Sequence, residues 1–290
     1  MRIELAGRNP LRRQELKADH HGDEGNLVLD ARGLQWVSPL ELAAVVTVGT
    51  HAAAAGRQVR LLFPLAPKIA SYLVRMNVVE LLEPIAEIDG PIPAQMRRDH
   101  SDKLMEVTKV TPDTVDEISE TLGDLVTARL GRKAGRAAFD SLGELLANAT
   151  SHGFSKTGAF AAAQLYSGAL SRTPGFEFAV CDSGDGIQRV LARTASQELD
   201  GPDALDHVLD GRNRDPEGRG HGLSNLGLQA MRGGNGGELL LRSGDAIATA
   251  KLRAEPTPIC SRVAEPVDGT WAWFRVRVPL TSRNVFQSVR

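Results

Sequence analysis

Residues 144–153 read ELLANATSHG. Glu144 and Asn148 stand four residues apart, close to one helical turn, so on a helix the carboxylate and the carboxamide project side by side. The surrounding pattern is helical: Phe139, Leu142, Leu146 and Ala149 recur at spacings of three, four and three, an apolar stripe with the acid and the amide off its centre. The spacing predicts a helix over about 133–150 that borders a core while presenting this pair. An isolated E-x-x-x-N is an ordinary surface pattern, so its meaning depends on the motifs downstream of it.

Two glycine-rich stretches lie there. DSGDG, residues 182–186, comes just after FEFAV (176–180), a short apolar run that reads as a strand; GRGHGLSNL, residues 218–226, leads into a helix that Gly233 and Gly234 would end. Glycines at alternate positions 218, 220 and 222 let the backbone turn its amides toward a ligand, and a helix N-terminus behind them favours negative charge, so phosphate is the expected guest. A carboxylate after a strand, Asp182, can accept from an exocyclic amino group, and an amide oxygen such as that of Asn148 can occupy one position around Mg2+. Further strands are expected at ELLLRS (238–243), AIATAKL (246–252) and TWAWFRVRV (270–278), and a further helix at about 112–129. Together these predict an α+β sandwich with helices on one face of a mixed sheet.

The order of these motifs resembles the GHKL superfamily of ATP-binding domains, the Bergerat-type fold shared by gyrase-type topoisomerases, ninety-kilodalton heat-shock chaperones, histidine kinases and bacterial anti-sigma serine kinases. Glu144-x-x-x-Asn148 looks like its N-box, Asp182-x-Gly184-x-Gly186 its first glycine box, and Gly218-x-Gly220-x-Gly222-Leu223 its second. Gly269-Thr270 before a strand ending Pro279-Leu280 is similar to its closing strand. The resemblance covers about residues 104–281. It implies ATP and Mg2+ as ligands, with Asn148 on the metal, Asp182 on adenine, Gly184 and Gly186 shaping the pocket beside the base, and Gly218, Gly220, Gly222 and Leu223 around the phosphates. Glu144 matches the general base of the ATPase and serine-kinase branches. The ending Asn148-Ala149-x-x-His152-Gly153 is closest to the anti-sigma serine kinases, and residues 188–217 fit a lid over the nucleotide.

The first half reads as β-α-β-α. Short branched runs at 26–30 (NLVLD) and 58–63 (QVRLLF) each precede a helical pattern. The first helix has Ser38 placed to cap it, Pro39 in its first turn and Glu41 at capping-box spacing; the second runs from Ala66 to Met76. LVLDARGLQWVSPLELAAV with the later VRMNVVELLEP is similar to a STAS domain, the fold of the anti-anti-sigma proteins that such kinases phosphorylate. Where phosphorylated members carry Ser, this chain has Leu40, and Glu41 replaces the small residue beside it. The expected organisation is a STAS-like domain at 1–86, a proline- and charge-rich connection at 87–103 and a GHKL domain at 104–290.

With 34 Lys plus Arg against 36 Asp plus Glu, the net charge of −2 offers no electrostatic footprint for nucleic acid or a membrane surface. Two cysteines without a C-x-x-C signal neither a disulfide framework nor zinc, and the opening residues lack the apolar core of a signal peptide, so a soluble cytoplasmic protein is expected. Three functions stay open: an anti-sigma-type serine/threonine protein kinase acting on a separate partner, a STAS or sigma-factor-type regulator among the candidates; a slow ATPase switch, with a homodimer as one way to build it; and a nucleotide-gated binding module without turnover.

Overall fold

The computed structural model describes residues 1–13, 15–19, 25–94, 103–130, 132–151, 155–166, 175–196, 198–210, 237–252 and 258–277. In the first half, β1 (Arg2–Glu4), β2 (Gly7–Arg8), β3 (Ala18–Asp19), β4 (Leu27–Asp30) and β5 (Leu34–Trp36) precede helix α1 (Pro39–Ala54), and β6 (Val59–Leu62), α2 (Pro67–Arg75), α3 (Val78–Leu82) and β7 (Glu87–Asp89) come after it. Five strands form a mixed sheet in the order β3-β1-β4-β6-β7. Only β1–β3 is antiparallel; β1–β4, β4–β6 and β6–β7 are parallel, and parallel neighbours require a crossover, which α1 supplies between β4 and β6. β7 takes the first three residues of the 87–103 stretch into this sheet.

The capping box at the start of α1 forms: the Ser38 backbone N–H donates to Glu41 Oε2 at 2.9 Å and the Glu41 backbone N–H donates to the Ser38 side chain, whose hydroxyl in turn donates to the Glu41 carboxylate. Its composition then decides its surroundings. Leu40, Leu42, Ala43, Ala44 and Val46 put buried apolar side chains on all sides of the first turns of this helix, with Glu41 and Thr47 buried among them, so that part of it must be covered on every side.

Two sheets cover it. The second half runs β8 (Leu104–Val110), α4 (Val115–Leu130), α5 (Arg132–Ser151), β9 (Ala159–Tyr166), β10 (Gly175–Asp182), α6 (Gly186–Thr194), α7 (Gly201–Leu209), β11 (Gly237–Leu252) and β12 (Ile259–Arg277). Its sheet has the order β11-β12-β10-β9-β8. All four pairings are antiparallel, so the mixed sheet is the first one, and the second is antiparallel across its described residues. One face packs on α4, α5 and α7 through Leu122, Leu146, Leu205, Phe178 and Leu241. The other carries Phe160, Ala162, Cys181, Trp271 and Trp273, which join Leu29, Leu61 and α1 in one continuous core. The molecule is a mixed α/β protein of four layers: helices, antiparallel sheet, α1 with α3 beside it, mixed sheet. Both faces of the second sheet are therefore covered, one by its own helices and the other by a helix of the first half.

Polar contacts fix the register of the two halves. Arg12 donates to Glu177 at 2.9 Å while its guanidinium stacks 3.8 Å from the centroid of the Trp273 ring. Glu177, 2% exposed, also accepts from the Tyr166 hydroxyl at 2.7 Å and faces Arg275 at 3.3 Å. Tyr72 of α2 donates to Gln164 at 2.8 Å. A buried carboxylate with two guanidinium partners and a hydroxyl donor has its desolvation cost offset, and it loses the Arg12 part of that compensation if the halves slide. Among the described residues no helix is long and apolar enough to cross a membrane.

Candidate functional site

Strand alternation decides where the predicted residues go. Along β10, Phe176, Phe178 and Val180 face the α4–α5 layer and Ala179 and Cys181 face α1; Asp182, two residues beyond Val180, therefore falls on the α5 side. Ala272 and Phe274 of β12 place Thr270 on that side, and Leu239 and Leu241 of β11 place Ser243 there. Ser243 and Thr270 are direct partners in register, and the Thr270 backbone N–H bonds the Asp182 carboxylate. The apolar rows of this face thus end in a polar row, Ser243, Thr270 and Asp182.

Helix α5 lies over the same face. Its buried stripe is Leu142, Leu145, Leu146 and Ala149; Phe139, expected in the stripe, is 40% exposed, and Leu145 takes its share of the contact. Glu144 and Asn148 flank this stripe and are both half-buried. The fold therefore puts the acid–amide pair and Asp182 on one side of one sheet, although 34 residues separate Asn148 from Asp182 in the chain.

Asp182 is 2% exposed. Burial pushes its carboxyl up to about 7, against the opposing effect of N–H bonds from Gly184, at 2.8 Å to Oδ1, and from Thr270. Such a group is held between its neutral and ionised forms near physiological pH. Two glycines make the enclosure possible. At Gly269, φ +74°, an added Cβ would lie 2.3 Å from the Asp182 carbonyl oxygen; at Gly186, φ +75°, it would lie 2.9 Å from Ser243 Oγ. Ser243, 4% exposed, accepts from the Ile187 N–H at 2.8 Å and lies 3.1 Å from the Gly269 carbonyl and 3.0 Å from the Thr270 hydroxyl. It ties the start of α6 to the Gly269–Thr270 end of β12.

Sequence reasoning passed over Ser243, and also a triangle of hydroxyls: Ser155, Thr157 and Ser183 lie 3.1–3.2 Å from one another, Ser183 being next to Asp182 in the chain. The only signal for Ser243 is the Ser-Gly step that interrupts the alternation of β11, where the register shifts. Gly184 sits in the bend between β10 and α6.

The second box, Gly218, Gly220, Gly222 and Leu223, lies outside the described residues, as do His152 and Gly153. Of the 188–217 segment, residues 188–196 and 198–210 are described, and α7 buries Leu205 and Leu209 in the core with β11; residues 197 and 211–217 lie outside the described residues. Among the described residues no three His, Cys, Asp or Glu are grouped to hold a metal. Asn148 offers one carboxamide oxygen, a hard donor of the kind Mg2+ accepts. The chain matches no family model, no curated protein and no solved structure.

Proposed function

We propose that this chain binds Mg-ATP on the α5 side of its antiparallel sheet and uses it in regulation, as a serine/threonine protein kinase of the anti-sigma type acting on a separate protein. The observation that carries the reading is that Asp182 and the helix bearing Glu144 and Asn148 lie on the same side of the antiparallel sheet, Asp182 being buried beneath the Gly269 turn. In this reading Asp182 accepts from the exocyclic amino group of the base and Asn148 holds Mg2+, which bridges and neutralises phosphate oxygens. Glu144 takes the proton of the attacking hydroxyl.

A separate substrate is favoured over the chain's own first half. Leu40 stands at the position of the phosphorylated serine and is 0% exposed, and Ser38, also 0% exposed, spends its hydroxyl proton on Glu41. Neither position offers a hydroxyl to an attacking kinase site. ATP turnover in the presence of Mg2+, measured with nucleotide affinity for wild type, Glu144→Ala and Asn148→Ala, tests the roles. Glu144→Ala keeps affinity and loses phosphoryl transfer to a protein substrate, whereas Asn148→Ala loses Mg-ATP affinity; equal loss of binding in both variants removes the assignment. Phosphate released to water without any partner, and abolished in Glu144→Ala, identifies the ATPase switch instead.

A further inference from the structure

We propose that Thr47 is a positioning residue for Asp182, through which the first half of the chain sets the geometry of the nucleotide site; this rests on reading Asp182 as the base-recognition carboxylate. Thr47 sits in the middle of α1, 0% exposed, in a layer otherwise made of Ala43, Ala44 and Val46. Its hydroxyl lies 2.8 Å from the Ala43 carbonyl, the ordinary contact of a threonine within a helix, and 3.1 Å from the carbonyl of Cys181. The second contact crosses from one half to the other and lands on the peptide group that joins Cys181 to Asp182. One turn later on the same helix face, His51 Nε2 lies 3.6 Å from Asp268 Oδ2. Asp268 precedes Gly269, the residue that closes on Asp182.

One face of α1 thus meets both strands that enclose the carboxylate: β10 through Cys181 and β12 through Asp268. Valine would fill the space of Thr47 and suit its apolar layer, so packing alone does not account for the hydroxyl. The one hydroxyl proton is shared between the Ala43 and Cys181 carbonyls, and removing it takes the α1 tie off the Cys181–Asp182 peptide and frees that end of β10 to tilt.

The test compares the full-length chain with Thr47→Val and Thr47→Ala, which lack the hydroxyl, and Thr47→Ser, which keeps it. Hydrogen exchange is read at the Gly184 and Thr270 amides, both bonded to Asp182, and at amides of β9 as an internal reference, alongside ATP affinity. Positioning predicts exchange at least about tenfold faster at Gly184 and Thr270 relative to β9 in the valine and alanine variants, the size expected for one lost internal hydrogen bond, with the serine variant close to wild type. ATP affinity falls about three- to tenfold in the same two variants. If Gly184, Thr270 and β9 accelerate in step, Thr47 is only a core residue and the proposal is overturned. If the two amides accelerate selectively but the wild-type chain binds no ATP, positioning stands and the nucleotide reading falls.

Discussion

Replacing Asp182 by asparagine changes one side-chain atom and removes one titration. The wild-type carboxyl is buried and titrates at about 7, against an ordinary value of 3.8. Its folded value is raised, so between about pH 4 and 7 the unfolded chain releases this proton before the folded chain does, and the stability of the fold falls as pH rises across that window. Three pH units at about 1.4 kcal/mol each make the full cost about 4 kcal/mol, reached above pH 7. The carboxamide of D182N retains an oxygen for the Gly184 N–H and carries no charge to bury. The expected result is that D182N and wild type are similarly stable near pH 4 and diverge as pH rises, the variant becoming the more stable by up to about 4 kcal/mol at pH 8. Urea denaturation monitored by circular dichroism at pH 4, 5, 6, 7 and 8 reads this directly, and the difference between the two proteins cancels other groups, including the buried Glu41, whose carboxyl desolvation also raises. A difference that does not change with pH would refute the reasoning. The burial cost also has a ligand consequence: a base amino group favours the ionised carboxylate, so adenine nucleotide affinity should rise with pH up to about 7 and level off above it.

The packing sets further outcomes. Trp273→Ala removes a ring 2% exposed between the halves and the surface on which Arg12 stacks; a loss of about 3–5 kcal/mol is expected, with both halves melting in one transition, and separate transitions would show that α1 is not a shared core. Glu177→Ala leaves Arg12 and Arg275 without their common carboxylate and should cost about 3–5 kcal/mol in denaturant titration. Ser243→Ala deprives the Ile187 N–H of its acceptor, a loss of about 1–3 kcal/mol, and should weaken ATP binding by loosening the Gly186 turn, read by calorimetry beside the melt. Incubation of the chain with Mg-ATP should leave Ser38 unphosphorylated by mass spectrometry, since its hydroxyl is buried against Glu41.

Much of the architecture was legible because local patterns decide it. The Ser38–Glu41 capping box, the strands at 27–30, 59–62 and 175–182, and the helix beneath Glu144 and Asn148 all occupy their expected places. Strands β8 and β9 were harder: AFAAAQLY (159–166) is an alanine-rich run whose residues are small because α1 and α5 press on it from opposite faces, and small residues carry little periodicity. The expectation of helices on one face of the second sheet missed the other face for a related reason. The buried apolar residues of α1 say that it is covered, but not by which sheet, and contacts such as Arg12–Glu177 and Thr47–Cys181, more than a hundred residues apart in sequence, settle that. At the site, Asp182, Gly184 and Gly186 announce themselves as a motif, whereas Ser243 acts by meeting Ile187 and Gly269 in space, which no spacing within β11 encodes.

The decisive measurement is calorimetric titration of ATP into the wild-type chain with Mg2+ and with chelator, beside Asn148→Ala and D182N. Binding that depends on Mg2+ and is lost in Asn148→Ala, with D182N weakened selectively for adenine over guanine nucleotides, is the predicted result. No ATP binding by the wild-type chain, or binding indifferent to both Asn148 and Asp182, would contradict a nucleotide site on this sheet face.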